Sequence, residues 1–351
     1  MDLLHLTREL IDIPSVTGNE AMVGEFLATC LDELDFNVDR QVVEQDRHNI
    51  IATTDSPPRI VFSTHMDTVP PFMPSAEDAE NIYGRGACDA KGIIAAQISA
   101  AQLLRAKGVE HIGLLFTVDE EQSSVGARVA NDHPVAEQVA YLINGEPTDN
   151  MLAEGTKGSL RVRILTQGQA AHSAYPEQGE SAVDKLLDIL TDIRALRWPQ
   201  NRLWGETTCN IGVISGGTRP NVIPAAAQAD LHLRLATEAS PVKQILEHVV
   251  GNRAQINYLS ENDPVRLHAL NGFDRCVVRF TTDIPYLSRW GTPLLLGPGS
   301  IFQAHTDNEY VAKQELNRAV SLYFQLAQSL LATKALDTEG DSKETNAWNT
   351  V

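Results

Sequence analysis

No stretch of this 351-residue chain approaches the roughly 18–20 consecutive apolar residues that a bilayer-spanning helix needs, so a helical membrane protein is excluded. Cysteine is scarce: Cys30, Cys88, Cys209 and Cys276 are widely spaced, and no CxxC pair occurs. That usage fits reduced thiols in a cytoplasmic protein rather than a disulfide framework. The opening residues, Met1-Asp2-Leu3-Leu4-His5, have no basic stretch leading into an apolar segment, so no secretory signal is expected. Positive charge is in short supply, with 28 Lys and Arg against 46 Asp and Glu and a formal net charge of −18. Such a surface repels phosphate backbones and anionic lipids, which argues against nucleic-acid and membrane partners. Internal repeats are also missing.

What remains is an ordinary globular composition, 43% hydrophobic and 21% charged, in a chain long enough for two domains. Thr17-Gly18-Asn19-Glu20 has the form of a capping box and opens an amphipathic stretch to about Leu34. Short β-rich runs follow at Asn49–Thr53, Ile60–Ser63, Ile112–Thr117, Ala140–Ile143 and Pro293–Leu296, with a helix over Gly92–Lys107. Near-continuous apolar strands separated by helices indicate an α/β domain with a central, mostly parallel sheet covered on both faces.

From about Lys157 the pattern changes. A strand over Leu160–Thr166, a helix over Ala182–Leu196, strands over Thr208–Ile214 and Gln228–Leu235, a helix from Ser240-Pro241 and a strand over Ile256–Leu259 follow one another. Ser240 reads as an N-cap and Pro241 as the first helical residue. The order β-α-β-β-α-β is the ferredoxin-like arrangement, here inserted into the first domain. The expected boundaries are 1–157 with 265–335 for the outer domain and 158–264 for the insertion. The polar segment 336–351 is expected to be disordered.

Five segments carry the chemistry. They are Thr64–Pro70, Gly84–Gly92, Asp119-Glu120-Glu121, Asn144–Thr148, and Gly297–Ser300 continuing to His305-Thr306-Asp307. Each lies at or just beyond an expected strand end. Ligands of open α/β sheets collect in the crevice at the carboxyl ends of strands, so all five face one place. Imidazoles and carboxylates converging there suit a divalent metal, with zinc the first choice and cobalt a substitute in vitro.

With His65, Asp89, Glu121, Glu146 and His305 as ligands, the count exceeds what one catalytic zinc takes. Two metals sharing Asp89 resolve it, because each then has three protein ligands. Asp89 is short and stands at the start of a helix, where backbone dipoles favour its ionised form. Two such ions polarise a carbonyl and generate hydroxide near neutral pH. In His65-Met66-Asp67 the polar side chains fall on one side of an extended segment, which lets Asp67 orient the metal-free nitrogen of His65. Glu120 is then free to act as general base and to pass the proton to the leaving amine. Position at a strand end does not by itself rank Glu121 above Glu120 as the ligand.

These segments closely resemble, in order from about His5 to Tyr310, the zinc-dependent family of acetylornithine deacetylase, succinyl-diaminopimelate desuccinylase, aminoacylase and glutamate carboxypeptidase. The resemblance implies the same five ligands, with Glu120 as general base and Asp67 as the orienting acid. It further implies a zinc-exopeptidase-like catalytic domain and an inserted lid through which the chain forms a homodimer. Gly168–Pro176 is similar to the family's lid histidine motif, which makes His172 a donor to the developing oxyanion, often from the partner subunit. Gly216–Pro224 and His232-Leu233-Arg234 are similar to its substrate-binding segments, giving Asn221 and Arg234 as holders of the substrate carboxylate.

Glu146-Pro147-Thr148 and the 297–305 segment are most similar to acetylornithine deacetylase and the desuccinylase. Asp89-Ala90-Lys91, in contrast, is closer to lysine and ornithine deacylases. The implied function is a di-zinc hydrolase of a small N-acyl amino acid. A dipeptidase or carboxypeptidase using the same metal site is the alternative. A non-catalytic binding protein on this fold is disfavoured by the intact Glu120.

Overall fold

The computed structural model describes residues 2–340. The chain folds as two compact units, one comprising residues up to Glu154 with Leu267–Cys276 and the chain from Thr282 onward, the other comprising Gly155–Arg266 and Val277–Thr281. The short return of 277–281 to the second unit was not part of the expected boundaries.

The first unit opens with α1 (Leu3–Asp12) and α2 (Ala21–Glu33), then the hairpin β1 (Asn37–Glu44) and β2 (Arg47–Thr53). It continues through β3 (Ile60–His65), α3 (Lys91–Ala106), β4 (Ile112–Thr117) and β5 (Tyr141–Asn144). The second unit supplies β6 (Gly158–Gln167), α4 (Ala182–Ala195), β7 (Thr208–Gly216), β8 (Ala226–Leu235), α5 (Ala239–Val250) and β9 (Gln255–Asn262). The first unit then closes with β10 (Thr292–Leu295) and α6 (Lys313–Gly340).

In the first unit the sheet order is β1-β2-β4-β3-β5-β10. The four strands β4, β3, β5 and β10 run parallel, while β2 joins β4 antiparallel. Alternate side chains feed two cores. Ile60, Phe62, Leu114 and Phe116 pack with the buried face of α3 and with Leu326 and Leu330 of α6. Val61, Leu115 and Leu142 pack on the other face with Ala127, Ala130 and Trp290. Burial on both faces is why these strands read as continuous apolar runs. Each large buried side chain such as Phe62 contributes about 1.5–3 kcal/mol.

The second unit has the sheet order β7-β8-β6-β9, all neighbours antiparallel. This is the 4-1-3-2 order of a ferredoxin-like β-α-β-β-α-β domain. Leu160, Val162 and Ile164 of β6 alternate inward against Leu186, Ile189 and Ile193 of α4 and Leu246 of α5.

Two helix starts differ from expectation. Helix α2 begins at Ala21 with Glu20 at its N-cap and no side-chain cap, and the Thr17 hydroxyl donates to Asp67 Oδ2 at 2.8 Å. Helix α5 begins at Ala239 rather than after Ser240, because Asp263 Oδ1 accepts the Ala239 N–H at 2.8 Å and so caps it from outside. Helix α6 runs on to Gly340, so the segment expected to be disordered from 336 begins inside it, and 341–351 lie outside the described residues. No helix among the described residues is long and apolar enough to cross a membrane.

Candidate metal centre

Three parallel strands end together. His65 is the last residue of β3, Asn144 of β5 stands two residues before Glu146, and Leu295 of β10 leads into Gly297. The turn after β4 supplies Asp119-Glu120-Glu121, and the approach to α3 supplies Asp89. The close fit of two of these ends requires glycine. A Cβ on Gly297 would sit 2.4 Å from the carbonyl oxygen of Glu146.

Asp89 occupies the middle of the cluster. Its Oδ1 lies 2.9 Å from Nε2 of His65 and its Oδ2 lies 3.3 Å from Nε2 of His305. His305 Nε2 is also 2.9 Å from Glu121 Oε1. Ligand atoms of His65, Asp89 and Glu121 all fall within 4.8 Å of one another, a grouping able to hold a metal ion. Glu146 is buried, and its Oε1 has no hydrogen-bond partner among the described residues. A buried carboxylate oxygen without a donor is costly, and a cation in this place would satisfy it. The grouped His65, Asp89 and Glu121, with His305 against the last two, therefore offer donors of the kind a divalent metal takes.

The supporting contacts fix which atoms face inward. His65 Nδ1 donates to the main-chain oxygen of Asp67 at 2.9 Å, leaving Nε2 toward Asp89. The Asp67 carboxylate lies farther from that ring nitrogen, at 3.5 Å. Its shorter contacts are the Thr17 hydroxyl and the main-chain N–H groups of Glu120 at 3.1 Å and Glu121 at 3.3 Å. Asp67 thus orients His65 through its backbone and the Glu120-Glu121 turn through its side chain. Arg47 steadies the same turn, with one guanidinium nitrogen 2.8 Å from Asp119 Oδ1 and 2.7 Å from Glu20 Oε1. Asp119 and His305 both have positive φ, 70° and 64°, an uncommon conformation that clusters at functional loops.

Packing these groups together sets the electrostatics of the cluster. Burial works against a charged His65, but hydrogen bonds to Asp67 and Asp89 outweigh it and hold the pKa well above its ordinary value. Hydrogen bonds to Asp89 and Glu121 raise His305 to about 10. Burial would raise Asp89, yet His305 and His65 pull it below the usual carboxylate range. Glu120 is pushed well up by burial and then by the charge of Glu146, and Glu146 is pushed up chiefly by burial.

Two further acids come from outside the five segments that the sequence singles out. Asp283 is buried, accepts the Thr117 hydroxyl on Oδ2 at 2.7 Å, and leaves Oδ1 without a partner. Burial raises it to about 6. Glu309 is also buried and bonds to Arg85 and to the loop carrying Asp89. Thr282-Asp283 and Asn308-Glu309 lie on loops, where no periodicity marks a partner. The position of Glu309 four residues after His305 was the one available cue.

The remaining expected residues lie in the second unit. His172 is in the loop between β6 and α4, where its Nδ1 accepts the N–H of Ala174 at 3.1 Å and its main chain bridges to Val222. Asn221 accepts the N–H of Ser173 through its main-chain oxygen at 3.1 Å. Arg234, on β8, lies 3.5 Å from the Thr281 hydroxyl.

Comparison with known proteins gives a consistent set of likenesses. A model described as the peptidase dimerisation domain of M20 matches residues 155–256, and one for peptidase family M28 matches residues 49–191. A peptidase M20 domain-containing protein of Schizosaccharomyces pombe is 37% identical over 334 residues, which cover 92% of this chain and 83% of that protein. A probable carboxypeptidase of Aspergillus clavatus is 36% identical, with coverage of 94% and 82%. The crystal structure of aminopeptidase PepT from Bacillus cereus superposes with a TM-score of 0.75 at 21% identity, covering 92% of this chain and 96% of that one.

Proposed function

This chain belongs to the M20 peptidase family, and from that premise we propose that it is a two-metal carboxypeptidase or dipeptidase acting on short peptides. The observation that carries the reading is the Asp89 carboxylate turned with one oxygen to His65 and the other to His305. One ion is assigned to His65, Asp89 and Glu146, the other to Asp89, Glu121 and His305. Bound there, two divalent ions would supply Lewis-acid polarisation of the scissile carbonyl and a nucleophile at neutral pH.

The chain's own groups do the rest. Glu120, which makes no assigned metal contact, takes the proton of the attacking water on its carboxylate and delivers it to the leaving amine nitrogen. Asp67 holds the Glu120 main chain in place through its N–H. Asn221 and Arg234 are assigned to the substrate's terminal carboxylate, and His172 to the oxygen that gains negative charge. The description of the matching dimerisation model supports a homodimer formed through the second unit. So does β7, an edge strand that exposes Val213 and Ile214.

The peptidase reading is put ahead of N-acyl amino acid deacylation because several relatives at about 36% identity are named probable carboxypeptidases. A panel of dipeptides, N-blocked dipeptides, and N-acetyl and N-succinyl amino acids tests it on zinc-reconstituted protein. Peptide cleavage is expected to exceed deacylation in kcat/KM by at least tenfold. The reverse order would assign the chain to the deacylases.

A further inference from the structure

Among the assigned ligands, His305 has the weakest local support. Its side chain is 48% exposed, it lies outside every strand and helix, and its φ is positive. Its own loop adds only turn bonds, from the Gln303 N–H to the Ser300 carbonyl and from the Thr306 hydroxyl to the Gln303 carbonyl, both at 2.8 Å. The support comes from elsewhere. Arg85 and Glu309 form a buried ion pair at 2.7 Å, with side chains 2% and 0% exposed.

Each partner grips a different ligand loop. Glu309 Oε1 accepts the main-chain N–H groups of Gly86, Cys88 and Asp89 at 3.0, 3.1 and 3.1 Å, a nest of amides closed around one carboxylate oxygen. Its Oε2 takes the Arg85 guanidinium. The same Arg85 nitrogen donates to the carbonyl of Thr306, the residue after His305, at 3.1 Å. The main chain adds a further tie, from the Gly84 N–H to the Glu309 carbonyl at 3.0 Å. Gly86 makes the turn possible at φ +88°, and a Cβ there would lie 2.9 Å from the Lys91 side chain.

Resting on the two-metal reading above, we propose that the Arg85–Glu309 pair is a positioning device. It joins the loop bearing Asp89 to the loop bearing His305, and so sets the affinity of the metal position that uses both. A buried ion pair adds little stability by itself, since apolar replacement is often neutral or better. Metal ligands, by contrast, must be held within about 0.5 Å of their working geometry, and four charge-assisted bonds to one carboxylate supply that rigidity. The pair acts through Asp89 and His305 and touches neither substrate nor reacting atoms.

Stepwise zinc affinities, measured by competition with a chromophoric chelator on purified, folded protein, test this. Glu309→Gln and Arg85→Lys are expected to weaken at least one zinc step by about 10–100-fold, the usual cost of losing a group that orients a ligand. KM should stay unchanged, and kcat should recover at high zinc. A pair serving the fold alone would lower the unfolding midpoint and leave both zinc steps of the folded fraction as in wild type. That result overturns the proposal. If neither variant folds, amide exchange in the metal-free wild type decides. Slow exchange at Gly86, Cys88 and Asp89 is expected of a preset scaffold, and fast exchange there contradicts it. Wild-type protein binding fewer than two zinc ions would instead count against the two-metal reading itself.

Discussion

Asp67 accepts the main-chain N–H of Glu120 on Oδ1 at 3.1 Å. The residue two positions after His65 therefore holds the turn that presents the candidate base. The Glu120 side chain is left free of any assigned metal contact, as a group that must collect and release a proton requires.

Glu120→Gln tests that role. It keeps the size and the N–H contact to Asp67 but cannot take a proton. Turnover should fall by about 10²–10⁴-fold, while metal content and unfolding midpoint stay near wild type. Loss of metal together with activity would mark Glu120 as a ligand.

Much of the centre is legible in the sequence because ligand-bearing segments follow directly from strands whose apolar runs are plain. His65, Glu146 and the 297–305 segment are placed by the ends of β3, β5 and β10 in this way. The supports are not legible, since their partners are remote. Arg85 and Glu309 are 224 residues apart, and Thr117 and Asp283 are 166 apart. Local pattern also misleads where a distant group takes the amide that a neighbour is expected to cap. Thr17 satisfies the capping-box spacing yet α2 starts four residues later, at Ala21, and Asp263 takes over the capping of α5. The fold class reads well because inward alternation in β6 and burial on both faces of β3 leave opposite signatures.

Gly297→Ala should be costly without touching any ligand side chain. The added methyl would meet the Glu146 carbonyl oxygen at 2.4 Å, and backbone cannot move aside as a flexible side chain does. A loss of about 2 kcal/mol or more is expected, read from urea unfolding, together with weaker metal retention.

His232 gives a pH dependence of known sign. Burial, followed by the charges of Arg234 and Arg161, lowers its pKa to about 4 in the folded protein, against an ordinary value of 6.5. Between those values the unfolded chain binds more protons, so stability falls as pH drops from 6.5 to 4. The urea midpoint of wild type relative to His232→Gln should fall across that window and be level above it. A constant difference would contradict the assignment.

His172 is tested by complementation, independently of its placement in the fold. A His172→Ala chain mixed with a Glu120→Ala chain should regain about a quarter of wild-type activity under random one-to-one pairing. About half the dimers of a two-fold assembly are then mixed, and each has one intact site of two. No recovery with proven subunit exchange would show that His172 serves its own chain or takes no part.

Anomalous diffraction from zinc-loaded crystals tests the proposed sharing of Asp89 between two ions. Two anomalous peaks about 3.5–4 Å apart are expected, one beside His65 and Glu146, the other beside Glu121 and His305, with an Asp89 oxygen at each. A single peak, or two peaks of which only one touches Asp89, would rule out a shared Asp89.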